Sequence, residues 1–146
     1  MPSNANHEIV LQFGRMMESM RDVIAASAHG PQAAPIRRIC LHSIEAIENY
    51  FSDQPPANYG GALKYGIRSR EGQDGLDGPA LLAYLEEVGH VCQGYLDGVD
   101  LTQAKDRWGK PPLGRILYVM RHTQHHLGQI SRLAADAYDI NRLCRP

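Results

Sequence analysis

Three histidines lie within five residues, at positions 122, 125 and 126, in a segment that otherwise has the apolar pattern of an amphipathic helix. Histidine is a middling helix former, and its titratable ring gives a core little that leucine would not give better. On a helix, side chains four residues apart lie one turn apart on the same face, with Cβ atoms roughly 6 Å apart. His122 and His126 could therefore share one metal ion, whereas His125 lies on a different face.

The histidine pair is a weak motif by itself, because seven histidines in 146 residues produce this spacing by chance fairly often. His126 lies at the edge of the apolar face and His122 one step further toward the polar side, which also fits ordinary exposed or partly buried structural histidines. A third ligand has to come from another helix, since two imidazoles seldom hold a divalent ion tightly. His42 is the best-placed candidate, although a buried neutral histidine bonded to the backbone would have the same pattern.

Two other metal motifs are excluded or weak. The sequence "HTQHH" lacks the glutamate of the zinc-peptidase pattern HExxH, in which that glutamate is the general base. Glu87 and His90 match the ExxH element of di-iron carboxylate bundles, but the second such motif and the further inward glutamates are missing. A di-iron bundle is therefore a weak alternative, and we interpret Glu87 and His90 as a surface pair.

Several polar and aromatic residues could assist a site without being ligands. Gln129, one turn beyond His126, could orient a ligand or a bound water, but it also fits an exposed solvating side chain, and we leave it out of the predicted ligand set. Tyr59, Tyr65 and Trp108 fall in predicted connections. They could cover the site, but aromatic anchors that hold loops to the body of the protein are the commoner explanation.

Composition predicts one soluble globular domain spanning residues 1–146. Hydrophobic residues make up 43% and charged residues 21%, with a formal charge of −1, and no basic stripe suits a nucleic-acid backbone. Cys40, Cys92 and Cys144 form no CxxC pair, which argues against a disulfide framework and favours a reducing cytoplasm. No secretory signal pattern and no apolar run of about 18 residues is present. We expect a cytoplasmic protein that binds neither nucleic acid nor membrane.

Apolar periodicity predicts the elements that position the histidines. Four amphipathic patterns, with no alternating strand pattern, indicate an all-α four-helix bundle. The predicted helices cover residues 6–28, 33–51, 77–96 and 113–137. Asp77 is the expected N-cap of the third helix, and Pro112 suits the first turn of the fourth. Residues 52–76 are rich in proline and glycine, and they are expected to form a long crossover along the bundle.

The helix-two stretch "HSIEAIENYF" and the helix-four stretch "PLGRILYVMRHTQHHLGQIS" resemble the DinB-like proteins, including their YfiT-type relatives. The resemblance spans residues 6–137, and its most specific part is "RHTQHHLGQ", with two histidines four apart and glutamine three residues later. It implies that His42, His122 and His126 bind a divalent metal ion. It also implies a four-helix bundle with a long crossover between helices two and three, often assembled as a homodimer.

The resemblance implies a metal site more firmly than a reaction, because the family is functionally mixed. Some members resemble thiol-dependent transferases or isomerases that use bacillithiol, mycothiol or glutathione. Three neutral imidazoles suit Zn²⁺, Ni²⁺ or Fe²⁺ and leave positions for water or substrate. We predict a metal-dependent enzyme that activates a thiol or water toward a small-molecule substrate. The alternative is a non-catalytic, metal-stabilised dimeric binding module related to stress.

Overall fold

Four helices account for most of the residues that the computed structural model describes, which are residues 4–30, 33–51, 64–65 and 76–134. The helices are α1 (Asn4–Ser27), α2 (Ala34–Phe51), α3 (Gly78–Gly98) and α4 (Pro112–Leu133). Within these described ranges there is no strand. The prediction of an all-helical bundle is confirmed at this level. Also within these ranges, no helix has both the length and the apolar character that crossing a bilayer requires.

Two pairs of helices, α1 with α2 and α3 with α4, lie diagonally opposite each other in the bundle. Both α1 and α2 pack mainly against α3 and α4, and the direct contact between α1 and α2 is small. Each helix contributes an apolar stripe to one common core, as the three- and four-residue periodicity predicts. Fully buried core side chains include Phe13, Met20, Ile24, Ile44, Ile47, Leu81, Ile116 and Leu127.

The central position of α2 is visible in its burial. It packs against α3 on one side and α4 on the other, and 10 of its 18 residues are buried. The buried set extends beyond the apolar residues to Ser43, Glu45 and Asn49. Because both neighbours hold α2, a half-buried residue on it, such as His42, keeps a defined position relative to α4.

Most helix ends follow local sequence signals. The Asp77 carboxylate accepts a hydrogen bond from the Ala80 backbone N–H at 2.8 Å, which confirms the predicted N-cap of α3. Pro112 begins α4, as expected for a residue with no N–H to satisfy. The predicted continuation of this helix to residue 137 is wrong, because α4 ends at Leu133. Ala134 is buried, but its φ of −107° and ψ of 26° are no longer helical.

Helices α2 and α3 run in the same direction. The Phe51 ring, at the end of α2, lies 5.1 Å from that of Tyr95, near the end of α3. The start of α3 lies beside the end of α1, where a Cβ on Gly78 would come within 2.6 Å of the His29 ring. The end of α2 therefore lies at the same end of the bundle as the end of α3, and the start of α3 lies at the opposite end. The predicted crossover, residues 52–76, lies outside the described residues except at 64–65 and 76.

Two of the described residues within this connection, Lys64 and Tyr65, lie against α2 and α3. The Lys64 backbone N–H donates to a Glu48 carboxylate oxygen at 3.0 Å, and its ammonium pairs with Glu87 at 2.5 Å. The Tyr65 ring packs edge-on against Tyr84, with centroids 4.9 Å apart. The interpretation of Tyr65 as an aromatic anchor is thus favoured, while Tyr59 lies outside the described residues.

A buried ion pair organises the connection between α3 and α4. Arg115 and Asp106 lie 2.6 Å apart, with side chains only 1% and 6% exposed. The same carboxylate accepts from the backbone N–H groups of Trp108 and Lys110. Arg115 also donates to the Tyr50 carbonyl at 2.9 Å, and this bond joins the start of α4 to the end of α2.

Trp108 acts as an anchor for the same connection. Its ring lies between two guanidinium groups, 4.2 Å from Arg107 and 4.3 Å from Arg115, and stacks on Tyr95 at 5.8 Å. Guanidinium groups stack favourably on the face of an indole ring. Trp108 therefore holds its loop to the bundle. This agrees with its interpretation as an aromatic anchor rather than as a cover for the site.

Candidate metal centre

Three histidines predicted to lie together do meet between α2 and α4. His42, His122 and His126 each offer a ring nitrogen, and these nitrogens all lie within 4.8 Å of one another. The ring centroid of His42 is 5.2 Å from that of His122 and 4.8 Å from that of His126. All three residues are half-buried. Within the described ranges, this is the one group of three or more histidine, cysteine or acidic side chains with such a geometry.

The two histidines of α4 face each other through their Nε2 atoms. The distance between the Nε2 atoms of His122 and His126 is 3.2 Å. Ligand nitrogens around a tetrahedral zinc ion, with Zn–N bonds near 2.0–2.1 Å, lie about 3.3 Å apart. The spacing of four residues on one helix therefore produces a separation that suits a shared ion.

Other side chains hold these rings in place. The Nδ1 atom of His126 lies 2.7 Å from Oε1 of Gln129, one turn later on α4. Tyr118 stacks on His122, with centroids 5.9 Å apart and ring planes at 21°. The Tyr118 ring in turn contacts Tyr50 of α2 at 4.7 Å. Sequence reasoning overlooked Tyr118, whose signal was its position one turn before His122.

His125 and the ExxH pair lie outside the cluster. His125 is exposed, and its ring contacts that of His126 at 5.0 Å without joining the group of converging nitrogens. Glu87 pairs with Lys64, and both Glu87 and His90 are exposed. The interpretation of Glu87 and His90 as surface residues therefore agrees with their positions.

The electrostatics of the cluster keep its rings neutral. Burial lowers the pKa of all three histidines, and the proximity of other histidine rings lowers it further. The pKa of His122 falls from its ordinary value of 6.5 to about 4. Around neutral pH each ring therefore carries a lone pair on one nitrogen, the form in which histidine binds metal ions.

The lowered pKa values predict that the metal-free protein loses stability in mild acid. A group with a pKa lower in the folded state than in the unfolded state binds fewer protons when folded, so its stability contribution is complete above the unfolded value. For His122 this contribution should be lost as pH falls from about 6.5 to about 4. Urea unfolding with a chelator present, at several pH values, measures it. The His122→Gln variant should show a shallower slope in this window, and equal slopes would contradict the assignment.

Two of the three cysteines do not supply a reactive thiolate. Cys40 and Cys92 are buried and unpaired. Burial raises the pKa of the Cys40 thiol to about 12 and that of Cys92 still higher. Both thiols stay protonated at neutral pH and act as small apolar core residues. Cys144 lies outside the described residues.

The histidine cluster does not line the cavity found beside α2 and α3. A cavity of about 560 Å³ lies between α2, α3 and the connection that precedes α4. Its lining includes Glu48, Phe51, Tyr95 and Asp106 but none of the three histidines. This cavity therefore lies apart from the three histidines, which are half-buried.

Comparison of the chain with models of protein families, with curated proteins and with solved structures produced no match. The DinB-like resemblance thus rests on the two quoted helical stretches alone and stays a prediction. The geometry of the three histidines stands independently of it.

Proposed function

We propose that His42, His122 and His126 bind one divalent metal ion and that the protein is a metal-dependent enzyme of the DinB-like type. The observation that carries this proposal is the convergence of three neutral imidazoles from two packed helices. Among the described residues the cluster contains no carboxylate and no thiolate, which suits Zn²⁺, Ni²⁺ or Fe²⁺ better than Mg²⁺ or Ca²⁺.

Three protein ligands leave coordination positions free for an exchangeable ligand, as in catalytic rather than structural zinc sites. When bound, the ion would act as a Lewis acid that lowers the pKa of water or of a thiol. His42, His122 and His126, all half-buried, would hold this centre between α2 and α4. Because Cys40 and Cys92 are buried and protonated, neither supports a role as the reactive thiol. We propose a low-molecular-weight thiol, or water, as the activated group.

A non-catalytic role is the competing proposal. In this alternative the triad stabilises a dimeric, stress-related binding module and does no chemistry. The three histidines do not line the 560 Å³ cavity among the described residues, and enzymes usually bind substrates in concave pockets, so this cavity does not support the enzyme over the module. The two proposals agree on the metal and differ in whether a coordination position is exchangeable.

Metal analysis of the untagged protein is the first test, and one divalent ion per chain is expected. The protein is then loaded with Co²⁺, whose visible spectrum reports its ligands, and titrated with bacillithiol, mycothiol or glutathione. A spectral change on thiol addition, together with transferase activity, supports the enzyme. A spectrum that does not respond indicates a closed site and favours the binding module. Absence of stoichiometric metal under all loading conditions overturns both proposals.

A further inference from the structure

We propose that Gln129 is a positioning residue that selects the metal-binding tautomer of His126. Its side-chain carbonyl accepts a hydrogen bond from Nδ1–H of His126, so the lone pair of this ring is left on Nε2. The assignment of Nε2 as a metal ligand rests on the proposed function. The tautomer itself is a property of the metal-free protein and can be tested separately.

The geometry gives the two nitrogens of the His126 ring different roles. Nδ1 lies 2.7 Å from Gln129 Oε1, a normal hydrogen-bond distance. Nε2 lies on the opposite side of the ring, 3.2 Å from Nε2 of His122. An amide oxygen only accepts hydrogen bonds, so a neutral imidazole has to place its single proton on Nδ1 to satisfy it. The unprotonated nitrogen then faces the space between the three rings.

This arrangement matches a general requirement of histidine ligands. A metal-bound histidine usually donates its other ring N–H to a carboxylate or a carbonyl, which fixes the tautomer and the ring orientation. Loss of such a partner typically lowers metal affinity by about 10- to 100-fold. His122 is held differently, by stacking on Tyr118. Gln129 therefore has a function that its exposed position on α4 would not suggest.

The tautomer is tested by NMR on the metal-free protein at a pH where the rings are neutral. Long-range nitrogen–proton correlations show which nitrogen of His126 carries the proton. The wild type and Gln129→Glu, which preserves an accepting oxygen, should show Nδ1–H. Gln129→Leu should shift the population toward Nε2–H, whereas Gln124→Leu, an exposed glutamine on the same helix, should leave it unchanged. An Nε2–H ring in the wild type would overturn the proposal.

Zinc affinity is measured on the same four proteins by competition with a chelator. Gln129→Leu should weaken Zn²⁺ binding by about 10- to 100-fold, while Gln129→Glu and Gln124→Leu should stay within a few-fold of the wild type. The unfolding midpoints of the metal-free variants should be similar, because both glutamines are exposed. Equal affinity in Gln129→Leu and the wild type would overturn the positioning role. If the wild type binds no zinc, the proposed function fails, while the NMR result still decides the tautomer.

Discussion

The His122→Ala variant is expected to lose more than about 100-fold in affinity for Zn²⁺ or Ni²⁺, a larger loss than removal of an outer partner causes. His122 supplies one of the three converging nitrogens, and its Nε2 lies 3.2 Å from that of His126. Two remaining imidazoles hold a divalent ion poorly. Isothermal titration of the purified variant, compared with wild-type protein, measures the loss.

The matched control for this variant is His125→Ala. His125 is the same residue type on the same helix, but it is exposed and outside the cluster, so metal affinity should stay near that of the wild type. Circular dichroism should show almost unchanged helical content in both variants, because the apolar stripes hold the bundle together. Equal metal binding by the two variants would refute the site. Global unfolding of His122→Ala would instead indicate a structural role for this ring.

Replacing Asp106 with alanine should destabilise the protein by about 3–5 kcal/mol, because removing one partner of a buried ion pair leaves an uncompensated charge. The Arg115 side chain is 1% exposed and would lose its carboxylate partner. The variant also removes the acceptor for the N–H groups of Trp108 and Lys110. Urea unfolding followed by circular dichroism measures the change in the free energy of unfolding.

Two further variants separate charge burial from loop disruption. Asp100→Ala removes an exposed carboxylate of the same connection, which accepts from the backbone N–H and hydroxyl of Thr102, and should cost about 1 kcal/mol or less. Adding Arg115→Met to the Asp106→Ala variant removes the unpaired charge and should recover part of the lost stability. A cost below about 1 kcal/mol for Asp106→Ala, or no recovery in the double variant, would contradict the role of the buried pair.

The pKa of Asp106 reflects two opposing effects, burial and hydrogen bonding. Burial acts to raise the pKa, but the hydrogen bond from Arg115 and those from two backbone N–H groups outweigh it, and the net shift is downward. A carboxyl group with a lowered folded-state pKa stabilises the fold above its unfolded value, about pH 3.9. Its contribution should be lost only as pH falls below that value. The histidine effect, in contrast, begins near pH 6.5, so the two are separable.

Helix positions could be predicted from periodicity and caps, since these depend on residues close in the chain. The Asp77 cap and the Pro112 start are local signals, and both occur in the structure. The end of α4 could not be predicted in this way. Apolar spacing reports burial, and Ala134 is buried as expected, but burial does not determine whether its backbone stays helical.

The buried face of α4 also differs from the predicted one. Leu113 and Met120, expected to face inward, are half-buried, whereas Arg115 and Thr123 are buried. Hydrophobicity cannot identify a buried arginine, because the carboxylate that makes its burial tolerable lies in a different element. Asp106 belongs to the preceding connection, and its pairing with Arg115 depends on the tertiary fold.

The part of the candidate site that lies on one helix could be predicted from the spacing of its residues. His122 and His126 follow from a four-residue step, whereas His42 required either a choice among half-buried histidines or the family resemblance. The structure brings all three together. Gln129 was left out as a solvating residue, since its hydrogen bond to His126 depends on rotamers that the sequence does not show.

The hydrogen bond from Arg115 to the Tyr50 carbonyl bears on how tightly an ion could be held. It fastens α4 to α2 two turns before His122, so the gap that the imidazoles span is preorganised before any cation arrives. In the unfolded chain a long, freely moving segment separates His42 from the other two rings, and a three-point chelate is entropically costly. An ion that binds the folded state alone would add about 2.7 kcal/mol of stability at a concentration 100 times its Kd. The temperature of thermal unfolding would then rise as the fraction of protein with bound metal rises.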